Sequence, residues 1–130
     1  MATRWEDWFW QANRDLEQAR SSASGGFYEW ACFASHQAAE KAVKAVFQRH
    51  EADAWGHLLA DLLQALPSEI AVSGDLLDCG KQLDKHYIAP RYPDSLPHGA
   101  PGQSYTQAEA ERAIENADRI LRFCQSHLLR

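Results

Sequence analysis

Two sets of side chains in this 130-residue chain have the types and spacing to hold an anion. Gln37, Lys41 and Lys44 follow i, i+4, i+7 and form one polar stripe on a helix, with His36 and Glu40 alongside. The second set is Lys81, Asp84, Lys85, Tyr87 and Arg91, and its arginine stands where a helical pattern gives way to a proline-rich stretch. An arginine offers phosphate a planar fork of donors, a tyrosine offers a stacking face, and an aspartate anchors the arginine or accepts from a ribose hydroxyl. Together these groups suit a nucleotide or an RNA end. Each set also has a plain structural reading, in which the stripe is a solvated face and Asp84, Tyr87 and Arg91 only tie the loop to the body. Spacing alone does not choose between them.

Net charge is −5, which argues against a protein that wraps nucleic acid through a broad basic surface. The positive charge is local. Residues 37–50 carry Lys41, Lys44 and Arg49 against Glu40, and residues 81–98 carry Lys81, Lys85 and Arg91 against Asp84 and Asp94. If the two segments meet in space, a modest basic pocket stands on an otherwise acidic body.

Both sets must be positioned by helices. Phe27–His50 is the longest stretch free of glycine and proline, and Ala31, Ala34, Ala38, Ala42, Ala45 and Val46 recur in it at helical spacing. That seam allows close neighbours, with Trp30, Phe33 and Phe47 supplying bulk beside it. Upstream, Thr3 and Glu6 fit a capping box, and Trp5, Trp8, Phe9, Ala12, Leu16 and Ala19 trace one apolar face. Trp10 falls off that stripe, as an interface residue or a stray exposed aromatic. The break Ser21–Gly26, with Ser24 near the next N-terminus, is too short to cross a bundle, so the first two helices form an antiparallel hairpin.

Downstream, Trp55 is expected to cap the core, and His57–Leu66 reads as a short leucine-rich helix stopped by Pro67. A further helix starts near Ser73 or Asp75, turns Leu76, Leu77, Leu83 and Tyr87 inward, uses Gly80 for a close approach, and ends before Pro90. Pro93, Pro97, Pro101, Gly99 and Gly102 exclude a regular helix across the following loop, which Tyr92, Leu96 and Tyr105 can anchor. Thr106 and Glu109 form a second capping box, opening a last helix that buries Ala110, Ala113, Ala117, Ile120, Leu121, Cys124 and Leu128. The predicted fold is all-α, a single domain over residues 1–130 made of an up-and-down bundle of four main helices plus one short one.

Some functions drop out. No apolar run approaches a membrane span, and MATRWEDWFW lacks the apolar stretch of a signal peptide, so a cytoplasmic location is expected. Cys32, Cys79 and Cys124 are odd in number and far apart, and no histidine pair sits at ligand spacing. Neither a metal site nor a cofactor is expected.

The run WACFASHQAAEKAVKAVF, then WGH and Leu58, later LDKHYIAPRYPD, and finally SYT opening the last helix resemble the HEPN domain (higher eukaryotes and prokaryotes nucleotide-binding). The resemblance runs from about Trp8 to the last helix. It implies a helical bundle that usually dimerises, often encoded beside a nucleotidyltransferase partner in toxin–antitoxin or defence modules. Many HEPN proteins are metal-independent ribonucleases whose arginine and histidine, four to six residues apart, pair across a dimer. Arg91 and His98, with six residues between them, meet the outer limit of that spacing. The expectation is thus a dimeric domain binding a nucleotide, RNA or another polyanion through Gln37, Lys41, Lys44, Asp84, Tyr87 and Arg91. The alternatives are a ribonuclease toxin using Arg91 and His98, and a non-catalytic dimerisation module.

Overall fold

A computed structural model describes residues 4–129 and contains only helices and connecting segments among them. The helices are α1 (Trp5–Ser24), α2 (Tyr28–Arg49), α3 (Leu59–Gln64), α4 (Gly74–Asp84), α5 (Pro101–Ser104) and α6 (Gln107–Leu128), with a 3₁₀ turn at Pro93–Ser95. Four are long, and α3 is the short extra helix. The proline-rich loop also winds one helical turn, α5, because Pro101 sits at its first position, where no amide hydrogen is needed.

Helix α2 is the centre of the bundle and packs on every other helix. Its alanine seam makes that crowding feasible: Ala31, Ala38, Ala42, Ala45 and Val46 are fully buried, and Phe47 with them. Ala34 is only partly covered, and Trp30 is half exposed rather than packed beside the seam. The apolar stripes of α1 and α6 close over α2, with Ala12, Leu16 and Ala19 from one and Ala113, Ala117, Ile120 and Cys124 from the other. Trp55 does not cap this core. It is 82% exposed, because the segment after α2 turns outward at Gly56.

The α1–α2 hairpin is closed by a Schellman turn. Phe27 N donates to Ser22 O and Gly26 N to Ala23 O, with Gly26 at φ 85°, a backbone region open to glycine. Ser24 is therefore the last residue of α1, and Phe27 holds the capping position expected of a polar residue. Of the two expected capping boxes, the one at Thr3 falls outside the described residues. The other is formed: Thr106 Oγ1 accepts from Glu109 N, and Glu109 Oε1 accepts from Thr106 N.

Helix α2 ends in the same motif with a different residue. Ala52 N donates to Phe47 O and Glu51 N to Gln48 O, but the left-handed position is occupied by Glu51 at φ 54°. A side chain there crowds the following carbonyl at a cost of about 1 kcal/mol. Glu51→Gly is expected to raise stability by about 0.5–1 kcal/mol in urea titration, the relief being partly offset by glycine's extra freedom when unfolded. An unchanged or lowered midpoint would contradict this account.

Helix α3 lies against α4 because α4 has no side chain where they cross. A Cβ on Gly80 would sit 3.0 Å from Leu63 Cδ1 and 3.4 Å from Leu59 Cβ. All three cysteines are free and buried. Burial pushes the Cys32 thiol up to about 12 and raises those of Cys79 and Cys124, which leaves them inert packing groups at neutral pH.

Candidate functional site

The polar stripe of α2 divides when the helix is packed. Lys41 turns toward α1 and pairs with Asp15, whereas Lys44 reaches back along α2 to Glu40, Nζ to Oε2 being 2.7 Å. His36 and Glu40, expected beside the stripe, are inside the protein at 0% and 5% exposure. Burying them requires partners. His36 Nε2 lies 3.1 Å from Asp84 Oδ1, and His36 Nδ1 lies 3.1 Å from Gln37 Oε1. Glu40 Oε2 also receives His57 Nδ1 at 2.9 Å, while Glu40 Oε1 has no hydrogen-bond partner.

Asp84 closes this network at the end of α4. Its Oδ1 accepts from Leu59 N at 2.6 Å and its Oδ2 from Ala60 N at 3.0 Å. Those are the first amides of α3, whose own N-cap is Leu58 and has nothing to offer them. Asp84 therefore does for α3 what a serine or aspartate usually does from within the helix. Both its oxygens are taken up by the fold.

After Asp84 the chain leaves the helix in turns. Tyr87 lies half-buried against two imidazoles, stacked on His57 at 5.4 Å and 17° and tilted against His36 at 5.1 Å. Arg91 follows one helical turn on. Its Nε donates to Tyr87 O at 2.9 Å, and its guanidinium lies over three rings, Phe33 at 4.4 Å, Tyr87 at 5.0 Å and Tyr92 at 5.3 Å. The terminal nitrogens of Arg91 make no hydrogen bond among the described residues.

Phe33 connects this corner to the stripe. With Phe27, Trp30, Gln37 and Lys41 it lines a groove of about 570 Å³ between α1 and α2, edged by Asp15. Phe27 and Trp30 expose much of their rings there. Phe33, Gln37 and Lys41 succeed one another by four residues, so the arginine end and the lysine end are separated by about 12 Å of helix. Lys44 and Asp84 lie outside the groove lining, on the side of α2 that meets His57 and α3.

His98 stands exposed in the loop beyond the 3₁₀ turn. That loop is fixed at its far end: Pro101 is buried, Gly102 fits so closely against Glu29 that a Cβ would lie 2.7 Å from Oε2, and Tyr105 hydroxyl is 3.3 Å from His86 Nδ1. Burial lowers the pKa of His86 and pushes the Tyr105 phenol up to about 12, so both are neutral at pH 7. Of the three anchors expected for the loop, Tyr105 and Leu96 are partly covered, while Tyr92 is half exposed and meets Arg91.

Sequence reasoning did not identify His57, Asp15 or the exposed faces of Phe27 and Trp30 as parts of this surface. The signals for His57 are its place after Gly56 and before a leucine-rich helix, and the WGH run that forms part of the family resemblance. Among the described residues no helix is long and apolar enough to cross a membrane, and no group of three or more His, Cys, Asp or Glu is placed to hold a metal ion.

The bundle is that of a known family. A family model described as HEPN domain matches residues 5–127, and the chain belongs to that family. Similar solved structures include TT1696 from Thermus thermophilus, 44% identical, covering 98% of this chain and 100% of that one with a TM-score of 0.95. Another is ST0689, described as an archaeal HEPN homologue, 44% identical over 98% and 99% of the two chains with a TM-score of 0.82. A HEPN domain protein of Thermotoga maritima is 45% identical over 95% and 98%, with a TM-score of 0.79. A more distant relative from Methanocaldococcus jannaschii, named "Putative toxin MJ1304", is 26% identical over 128 residues, 91% of this chain and 84% of that protein.

Proposed function

We propose that the chain is a single HEPN-type domain that binds a nucleotide or another polyanion, acting as a homodimer with a nucleotidyltransferase partner in a toxin–antitoxin or defence module. The observation that carries the binding reading is Arg91: its terminal nitrogens have no hydrogen-bond partner among the described residues, and its guanidinium rests on Phe33, a wall of the groove that also holds Trp30, Gln37 and Lys41. A base stacked on an exposed ring contributes about 1–3 kcal/mol, and a phosphate taken by the arginine fork adds a charge-assisted bond. Tyr87 holds Arg91 in place through its carbonyl and its ring. Exposed Trp10 on α1 offers an apolar contact for a second copy.

Calorimetric titration with ATP and with a short oligouridylate tests this reading. Arg91→Ala is expected to weaken binding about tenfold or more, and Lys41→Ala by less, because Lys41 is already neutralised by Asp15. Absence of binding, or unchanged affinity in both variants, rejects it.

A second reading, a metal-independent ribonuclease, is favoured by the exposure of His98 together with the fork of Arg91, and by the toxin name of the archaeal relative. An imidazole can move the 2′-hydroxyl proton while a guanidinium stabilises the charged phosphorane. RNA cleavage in excess chelator that disappears in both Arg91→Ala and His98→Ala would establish it. Cleavage surviving His98→Ala would remove this pair as the active site.

A further inference from the structure

We propose that His57, held by Glu40, is a positioning residue for Arg91 and acts through Tyr87, so that the irregular segment between α2 and α3 sets the geometry of the anion-binding fork. This rests on the binding role of Arg91 and names a part of the chain that does not line the groove.

Arg91 is fixed twice by one residue. The carbonyl of Tyr87 takes its Nε, and the ring of Tyr87 lies under its guanidinium. The direction of the fork therefore depends on where Tyr87 is held. His36, tilted against that ring at 5.1 Å, is fully buried in α2 and bonded to Asp84, and so cannot yield. The near-parallel stack on the ring, at 5.4 Å and 17°, is His57.

His57 differs from His36 in every respect that bears on mobility. It is more than half exposed, it follows a glycine in a left-handed conformation, and it belongs to no helix. Its hydrogen bond is to Glu40 Oε2, an acceptor rooted in the central helix and already oriented by Lys44. The same oxygen takes both the Lys44 ammonium and the His57 imidazole, so the carboxylate holds the loop histidine from a point fixed on α2. A rigid acceptor thus clamps a loop histidine, which clamps a tyrosine, which aims an arginine. A long side chain held in its bound arrangement loses less freedom when the anion arrives.

Two measurements decide this. The first is the Nε–Hε resonance of Arg91 in the ligand-free protein, which lies among three rings and reports their placement. His57→Ala is expected to move it, and a resonance that stays in place overturns the proposal. The second is a double-mutant cycle with ATP: His57→Ala should weaken binding roughly three- to tenfold when Arg91 is present and have no effect in Arg91→Ala. An equal effect in both backgrounds overturns the proposal while leaving the binding role of Arg91 intact. If Arg91→Ala itself leaves ATP affinity unchanged, the binding reading fails, and the Arg91 resonance alone then decides whether His57 positions that side chain.

Discussion

Asp84→Ala is expected to destabilise the protein by about 2–3 kcal/mol, seen as a lowered urea midpoint with little change in slope. Two losses combine. The amides of Leu59 and Ala60 lose their acceptors, which as a missing helix cap costs about 1 kcal/mol. His36, with no exposed surface, loses the hydrogen-bond partner at its Nε2, and leaving such a buried group unsatisfied costs about 1–3 kcal/mol. The sum is less than the parts because Leu59 N and His36 Nε2 share one oxygen, Oδ1, and because the Asp84 side chain is itself 14% exposed, so water can partly replace it. Asp84→Asn keeps one acceptor oxygen and should lose about half as much. Against a total stability of about 5–15 kcal/mol that is a substantial share. A loss below about 1 kcal/mol would show that Asp84 is not what holds α3 in place.

Gly80→Leu is expected to cost about 3 kcal/mol or more and to release α3 from α4, whereas Gly80→Ala should be close to neutral. The contrast follows from what each added atom meets. A single Cβ comes within 3.0 Å of Leu63 Cδ1, the far end of a flexible side chain that can rotate away. The resulting crowding is offset by the roughly 1 kcal/mol by which alanine exceeds glycine in a helix interior. The further carbons of a leucine would have to pass Leu59 Cβ and Ala60 N, 3.4 and 3.5 Å from that Cβ, which belong to the capped first turn of α3 and cannot move independently. Thermal midpoints measure the cost, and amide exchange at Leu62 and Leu63 reports the release. A stable Gly80→Leu protein with those amides still protected would refute the packing argument.

Much of this fold can be read from the chain. Period 3.6 in the alanines of α2 and in the apolar stripe of α6 marks both helices, Thr106 and Glu109 mark where α6 begins, and Gly80 marks a close crossing. These signals are local, and local signals survive packing. The turn at Gly26 is legible as a break, but its hydrogen-bond pattern gives the capping position of the next helix to Phe27 rather than to Ser24. Trp55 is not legible as exposed, because its bulk says nothing about the direction in which Gly56 turns the chain.

The candidate site is legible only as two separate segments. Lys41 and Lys44 are about 60° apart around the helix axis, and that suffices for one to meet Asp15 on α1 and the other to meet Glu40. Which partner each finds is decided by neighbours far away in sequence. The same holds for Asp84, whose hydrogen bonds to residues 36, 59 and 60 have no periodic signature, and for His57, which a pattern of apolar residues passes over.

The position of Asp84 has a consequence for the order in which the chain can fold. A helix of six residues is far below the length that persists alone in water, and α3 lacks a capping side chain of its own. Its first turn becomes satisfied only when a residue 25 positions beyond Leu59 arrives at the end of α4, and that residue is steered there by His36 on the central helix. Helix α3 is therefore a late structure: the α1–α2 hairpin can assemble from local contacts, but α3 must wait until α4 has docked. By the same logic α3 is the first helix to be lost when α4 loosens.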